Sequence, residues 1–207
     1  MKRKQLIYIS ILIIFYTVGT VGILIGNKSE FLPLSPLNLL LSFVILLFSY
    51  KKKSLKLFIS VAIVGVIGFS AELIGVHTGY LFGDYSYGKN LGFKLFEVPL
   101  IIAVNWAMLS LVSVSLFQKL PIPKIAIALL SASLMTALDF LIEPVAMKSD
   151  FWMWSNGTIP VFNYACWWLI AFPLHYFLLK RNVVEQNQVS IGLLAILFVF
   201  FGILNLN

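Results

Sequence analysis

Seven apolar stretches, about Leu6–Ile25, Leu32–Tyr50, Leu55–Val76, Leu95–Phe117, Ile125–Ala146, Val161–Leu179 and Val189–Leu204, take up about two thirds of this 207-residue chain. Each reaches, or nearly reaches, the ~20 residues that an α-helix needs to cross a hydrocarbon core. In lipid only helices and closed barrels satisfy their own backbone polar groups. The expectation is an all-α, polytopic membrane helical bundle of about seven transmembrane helices, forming a single integral membrane domain over residues 1–207. With 60% hydrophobic and 11% charged residues, nothing remains from which a soluble domain could be built.

Met1-Lys-Arg-Lys leads into the first apolar run, but the run is long and no small-x-small cleavage site follows, so it reads as the first spanning helix. Cys166 is the only cysteine and sits in an apolar stretch, which excludes a disulfide framework and a thiolate cluster. The net charge of +7 is unevenly placed. With a cytoplasmic N-terminus, eleven basic residues (Lys2, Arg3, Lys4, Lys51, Lys52, Lys53, Lys56, Lys119, Lys124, Lys180 and Arg181) share that side and four (Lys28, Lys89, Lys94 and Lys148) take the other. By the positive-inside rule this predicts N-in, C-out in the cell (inner) membrane. A basic face against anionic lipid headgroups accounts for the charge without nucleic acid.

Residues 55–118 and 119–180 read as two copies of one unit, with 1–54 as scaffold helices and 181–207 as the last helix. Asp139, Trp152 and Trp154 each follow Glu72, Tyr85 and Tyr87 by 67 positions, and Pro160 and Trp167 follow Pro99 and Trp106 by 61. Each copy has an acid near a helix end, a loop with two aromatics and a returning helix. Both run in the same sense across the membrane, so the third and fourth helices and the fifth and sixth form parallel repeats. Their loops, His77–Lys94 and Met147–Ile159, fall on the extracytoplasmic face. Gly22 with Gly26, and Ala71 with Gly75, are small-xxx-small pairs that let neighbouring backbones approach.

Of the eight acids only Glu185 falls on the cytoplasmic side, and Glu72, Glu97, Asp139 and Glu143 share a similar depth toward the outer face. Acids inside a membrane are costly and usually functional. Asp139 and Glu143, four residues apart, share a helix face on which two anions repel, so one is expected to hold a proton and serve as a donor. The repeat makes Glu72 the counterpart of Asp139. Plainer roles exist: Glu97 can pair with Lys94 near the interface, and Glu143 precedes Pro144, where a helix end has polar groups to satisfy. His77 could join the acids around a metal, but neither Glu-x-x-His nor His-x-x-His spacing occurs, so no metal is expected. His175 reads as a packed histidine. Tyr80, Tyr85, Tyr87, Trp152, Trp154 and Tyr164 fit an interfacial aromatic belt. Trp106 and Trp167, at equivalent depths inside helices, could instead stabilise a cation, and the neighbouring Asn105 and Asn163 need polar partners.

Together, Glu72-x-x-Gly75-x-x-Thr78-Gly79-x-x-Phe82-Gly83-x-Tyr85-x-Tyr87, Leu91-Gly92-x-Lys94, Val98-Pro99-Leu100, Trp106, Asp139-x-x-x-Glu143-Pro144 and Trp152-x-Trp154 resemble the membrane carotenoid hydratases of the bisanhydrobacterioruberin hydratase type, over about residues 60 to 175. The resemblance implies addition of water to the terminal C1=C2 double bond of an acyclic carotenoid, giving a tertiary alcohol. It needs a lipophilic carotenoid, water and the bilayer, and no cofactor. On that reading Asp139 or Glu143 protonates C2 and Glu72 positions or deprotonates water. Tyr85, Tyr87, Trp106, Trp152, Trp154, Trp167, Asn105 and Asn163 line the end-group pocket, with Glu97, Lys94 and His77 in support. The small membrane lycopene cyclases are also similar and share the protonation step, with C5=C6 capturing the cation. A proton-coupled transporter is a third reading, opposed by the gathering of the acids on one side.

Overall fold

A computed structural model describes residues 3–207; Lys2, counted on the basic face, lies outside the described residues. The chain is an all-α bundle. Helix α1 (Arg3–Leu24) turns through the short α2 (Lys28–Phe31) and a 3-10 turn into α3 (Ser35–Ser49), followed by α4 (Leu55–Thr78), α5 (Ile101–Phe117), α6 (Lys124–Lys148), α7 (Val161–Arg181) and α8 (Gln188–Asn205). Six helical segments, α2 with α3 counted as one, are long and apolar enough to cross a membrane. Their outward side chains, such as Ile14, Phe48, Val66 and Val199, are exposed in the way that lipid-facing residues are. This is an integral membrane protein.

The seventh apolar helix, α5, has 17 residues, about 25 Å at ~1.5 Å per residue. It starts six positions later than the apolar stretch beginning at Leu95, because β2 (Lys94–Leu95) and β3 (Val98–Pro99) form a hairpin. Pro99 holds the residue before it extended, and Phe96 and Glu97 adopt φ of 49° and 65°, the positive values that a tight two-residue hairpin turn requires. Every residue of α5 from Trp106 to Ser115 is buried, and α3, α4, α6, α7 and α8 all pack on it. It is the axis of the bundle.

The aromatic pairs expected in loops lie on strands. In β1 (Tyr85–Tyr87) and β4 (Trp152–Trp154) the period-2 alternation of an extended chain turns both tyrosines and both tryptophans inward and Ser86 and Met153 outward. The strands pair antiparallel, with Tyr85 opposite Trp154, Ser86 opposite Met153 and Tyr87 opposite Trp152. That register maps onto itself by a half-turn between Ser86 and Met153. The α4–α5 and α6–α7 connections are thereby joined into one cap over the ends of four helices.

Two further expectations change. Helix α6 runs through Pro144 to Lys148 rather than ending there. Gly22 makes room for the Phe31 ring, and Gly75 for Phe82 and the Tyr85 hydroxyl, so these glycines admit rings rather than a second helix backbone. At the opposite end of the bundle, Glu185 accepts from the backbone N–H groups of Lys51 and Lys52, both at 2.9 Å, and ties the α3–α4 turn to the α7–α8 turn.

Candidate active site

Glu72 sits less than two turns before the end of α4, which stops where Gly79 takes a left-handed conformation (φ 66°). Its carboxylate is buried, and both oxygens accept hydrogen bonds. Oε2 accepts from the hydroxyls of Tyr85 at 2.5 Å and Tyr87 at 2.7 Å, and Oε1 accepts from Trp106 Nε1 at 3.0 Å. Two glycines on α4 permit this. A Cβ at position 75 would lie 2.8 Å from the Tyr85 hydroxyl, and one at position 68 would overlap the Trp106 ring.

Glu143 on α6 repeats the arrangement with different chemistry. Its Oε2 accepts from Trp152 Nε1 and Trp154 Nε1, both at 2.9 Å, and its Oε1 accepts from Asn163 Nδ2 at 2.8 Å. The same amide nitrogen lies 3.4 Å from Asp139 Oδ2, while the other Asp139 oxygen is buried without a partner. Asn163 stands in the first turn of α7 and links the two acids.

By hydrogen bonding, therefore, the counterpart of Glu72 is Glu143 rather than Asp139. The sequence register was misleading because Glu72 and Asp139 both stand 13 residues before the first aromatic of their copy. Six residues separate Thr78 from Tyr85, but only three separate Lys148 from Trp152, so the acid on α6 that reaches its strand lies one helical turn later. Four residues before each glutamate the two halves differ: Gly68 on α4, Asp139 on α6.

Between the two glutamates the rings of Trp106 and Trp167 stack, with centroids 4.4 Å apart and planes 13° from parallel. Tyr85 lies against Trp154 at 5.0 Å and Tyr87 against Trp152 at 6.0 Å. Burial, and after it the charge of Glu72, pushes the Tyr85 and Tyr87 phenols above their ordinary range, so both stay protonated as donors. Both glutamates line a cavity of about 10 Å³, room for about one water. A second, mostly apolar cleft of about 70 Å³, walled by α1, α3, α5, α6 and α8, shares Ile102, Asn105 and Trp152 with it. Asn105 lines both spaces, and its amide has no hydrogen-bond partner among the described residues.

The supporting residues stand outside this cluster. The Lys94 ammonium donates to the Tyr87 carbonyl at 2.5 Å and braces β1, and Glu97 is exposed in the hairpin turn. His77 is exposed and lies 3.2 Å from the Phe96 carbonyl through Nε2, away from the acids. Among the described residues no three His, Cys, Asp or Glu side chains converge as metal ligands. The cleft adds Tyr16 and Asn38, on helices that read as scaffold, and Phe200 on the last helix. Asn38, a lone amide in an apolar stretch whose buried Oδ1 has no partner, was the available signal.

No curated protein and no solved structure gives a significant match to this chain. A family model described as carotenoid biosynthesis protein matches residues 35–207. That span runs from α3 to the end of the chain and contains every acid and aromatic of the cluster, and the chain belongs to this family of carotenoid biosynthesis proteins.

Proposed function

We propose that this protein hydrates the terminal C1=C2 double bond of an acyclic carotenoid. The observation that carries the reading is the pair of buried carboxylates, each with three donors, lining a one-water cavity that adjoins an apolar cleft. Asp139 and Glu143 share the acidic proton. Indole and amide nitrogens of Trp and Asn are donors only, so the three groups on Glu143 favour its anion, and the free oxygen of Asp139 is where the proton rests. Delivered through Glu143 to C2, the proton leaves a tertiary cation at C1, which the faces of the Trp106–Trp167 stack stabilise. Water bonds to C1 and gives a proton to Glu72 as general base. Return of that proton to the Asp139–Glu143 pair closes the cycle, with one water added and no change of oxidation state.

The charge asymmetry supports a cytoplasmic N-terminus in the cell membrane, which puts the acids toward the outer leaflet. The test is expression in a lycopene-accumulating bacterium with mass spectrometry of the pigments. A gain of one or two waters is expected. An isomer of unchanged mass with a ring at its end would make the protein a cyclase, and unaltered lycopene alongside other acyclic carotenoids would sink the reading.

A further inference from the structure

We propose that Asn105 holds the water that captures the carbocation and so decides that the cation ends as an alcohol rather than as an alkene. The inference rests on the hydration reading above. In the cavity between the acids, the O–H and N–H donors of Tyr85, Tyr87 and Trp106 are all engaged by Glu72, and those of Trp152, Trp154 and Asn163 by Glu143. Asn105 lines the same cavity with its amide free of any partner among the described residues. Asn105 is half-buried, and a space of about 10 Å³ has room for one water, which finds there an amide that no carboxylate has engaged.

Position supplies the second half of the argument. Asn105 also lines the apolar cleft, so it stands at the junction where a hydrocarbon end entering from the cleft meets the acids. An amide both donates and accepts but does not take a proton at neutral pH. Its oxygen accepts one hydrogen of the water, Glu72 receives the other as a proton, and a lone pair on the water oxygen forms the new bond to C1. Without a held water, the C1 cation can return to substrate in the same site: a proton leaves C2, the electrons of that C–H bond reform C1=C2, and the donor pair recovers its proton.

Deuterium oxide separates these outcomes. In membranes carrying the wild-type protein and an acyclic carotenoid, hydrated product is expected. Asn105→Leu, which fills the space with hydrocarbon, is expected to slow hydration roughly 100-fold, as displacement of a reacting group does, while recovered substrate gains deuterium at C2. Asn105→Ser, which restores a hydroxyl, should recover most of the hydration. Hydration by Asn105→Leu at the wild-type rate overturns the proposal, and so does loss of both hydration and exchange in folded Asn105→Leu. If Asn105→Leu does not fold, Asn105→Ala against Asn105→Ser decides by the same two readouts. A wild type that neither hydrates nor exchanges removes the hydration reading itself, and this proposal with it.

Discussion

The two halves of the cluster hold a glutamate in the same way and surround it with different chemistry. Glu72 is held by two phenols and an indole, Glu143 by two indoles and an amide. Phenols can accept as well as donate, whereas indole and amide nitrogens only donate. The first half can thus readjust when its carboxylate gains a proton, and the second resists the same change. The position one turn earlier deepens the contrast: Gly68 gives space to the Trp106 ring, and Asp139 supplies a third acid with an unpartnered oxygen. A common geometry carrying unequal protonation is what a site needs if it is to give a proton on one side and take one on the other.

The largest effects should come from removing either charge. Glu143→Gln and Glu72→Gln are each expected to lower hydration by about 10²–10⁴-fold, the usual contribution of a general acid or base. They should differ in deuterium exchange at C2, which needs the donor alone: Glu72→Gln retains it and Glu143→Gln loses it. The opposite pattern would exchange the roles of the halves. Equal loss of both would mean that the two glutamates act as one unit.

Next in size are the changes at the position that distinguishes the two halves. Asp139→Asn is expected to cost about 100-fold in hydration, because Glu143 then lacks the partner that holds the proton. Gly68→Ala drives a methyl into the Trp106 ring, an overpacking worth about 1–3 kcal/mol, and separates the indole from Glu72. Thermal unfolding should show Gly68→Ala as the less stable variant and Asp139→Asn as nearly unchanged. If Asp139→Asn hydrates at full rate, the asymmetry has no catalytic meaning and Asp139 is a packing feature of α6.

Much of this arrangement is legible in the amino-acid sequence. Hydropathy alone marks the spans, because a helix in lipid needs a long apolar run whatever its neighbours are. Asp139, Glu143 and Glu72 stood out because acids inside such runs need a reason. The pairing of acids was not legible: the spacing from Glu72 to Tyr85 equals that from Asp139 to Trp152, and sequence does not record that α6 gains a turn while its loop shortens. The Lys94–Pro99 hairpin was hidden in an apolar run because its backbone polar groups are satisfied by pairing, which hydropathy does not sense. Tyr16 and Phe200 meet edge to face at 5.1 Å and wall the cleft, yet on their own helices they look like any lipid-facing aromatic. Only the packing of α1 on α8 gives them a position.

The smallest expected effect tests the tyrosine half through pH. Burial and the Glu72 charge raise the Tyr85 and Tyr87 phenols above 10, while in the unfolded chain both titrate near 10. Below pH 10 neither state loses a proton and the stabilisation is complete. Above it the unfolded state releases protons that the folded state keeps, so stability falls as pH rises, by ~1.4 kcal/mol per pH unit for each phenol. Burial raises the Tyr50 phenol as well, so a residual slope from that group is expected. Tyr87→Phe should reduce the alkaline slope of unfolding free energy by one phenol's share, and Tyr85→Phe with Tyr87→Phe by two. Trp152→Phe should leave the slope unchanged, since an indole has no proton to lose in that range. A slope indifferent to both tyrosines would mean that the phenols ionise alike in the folded and unfolded chains, and the two halves would then differ in their donors' identity but not in the protons those donors hold.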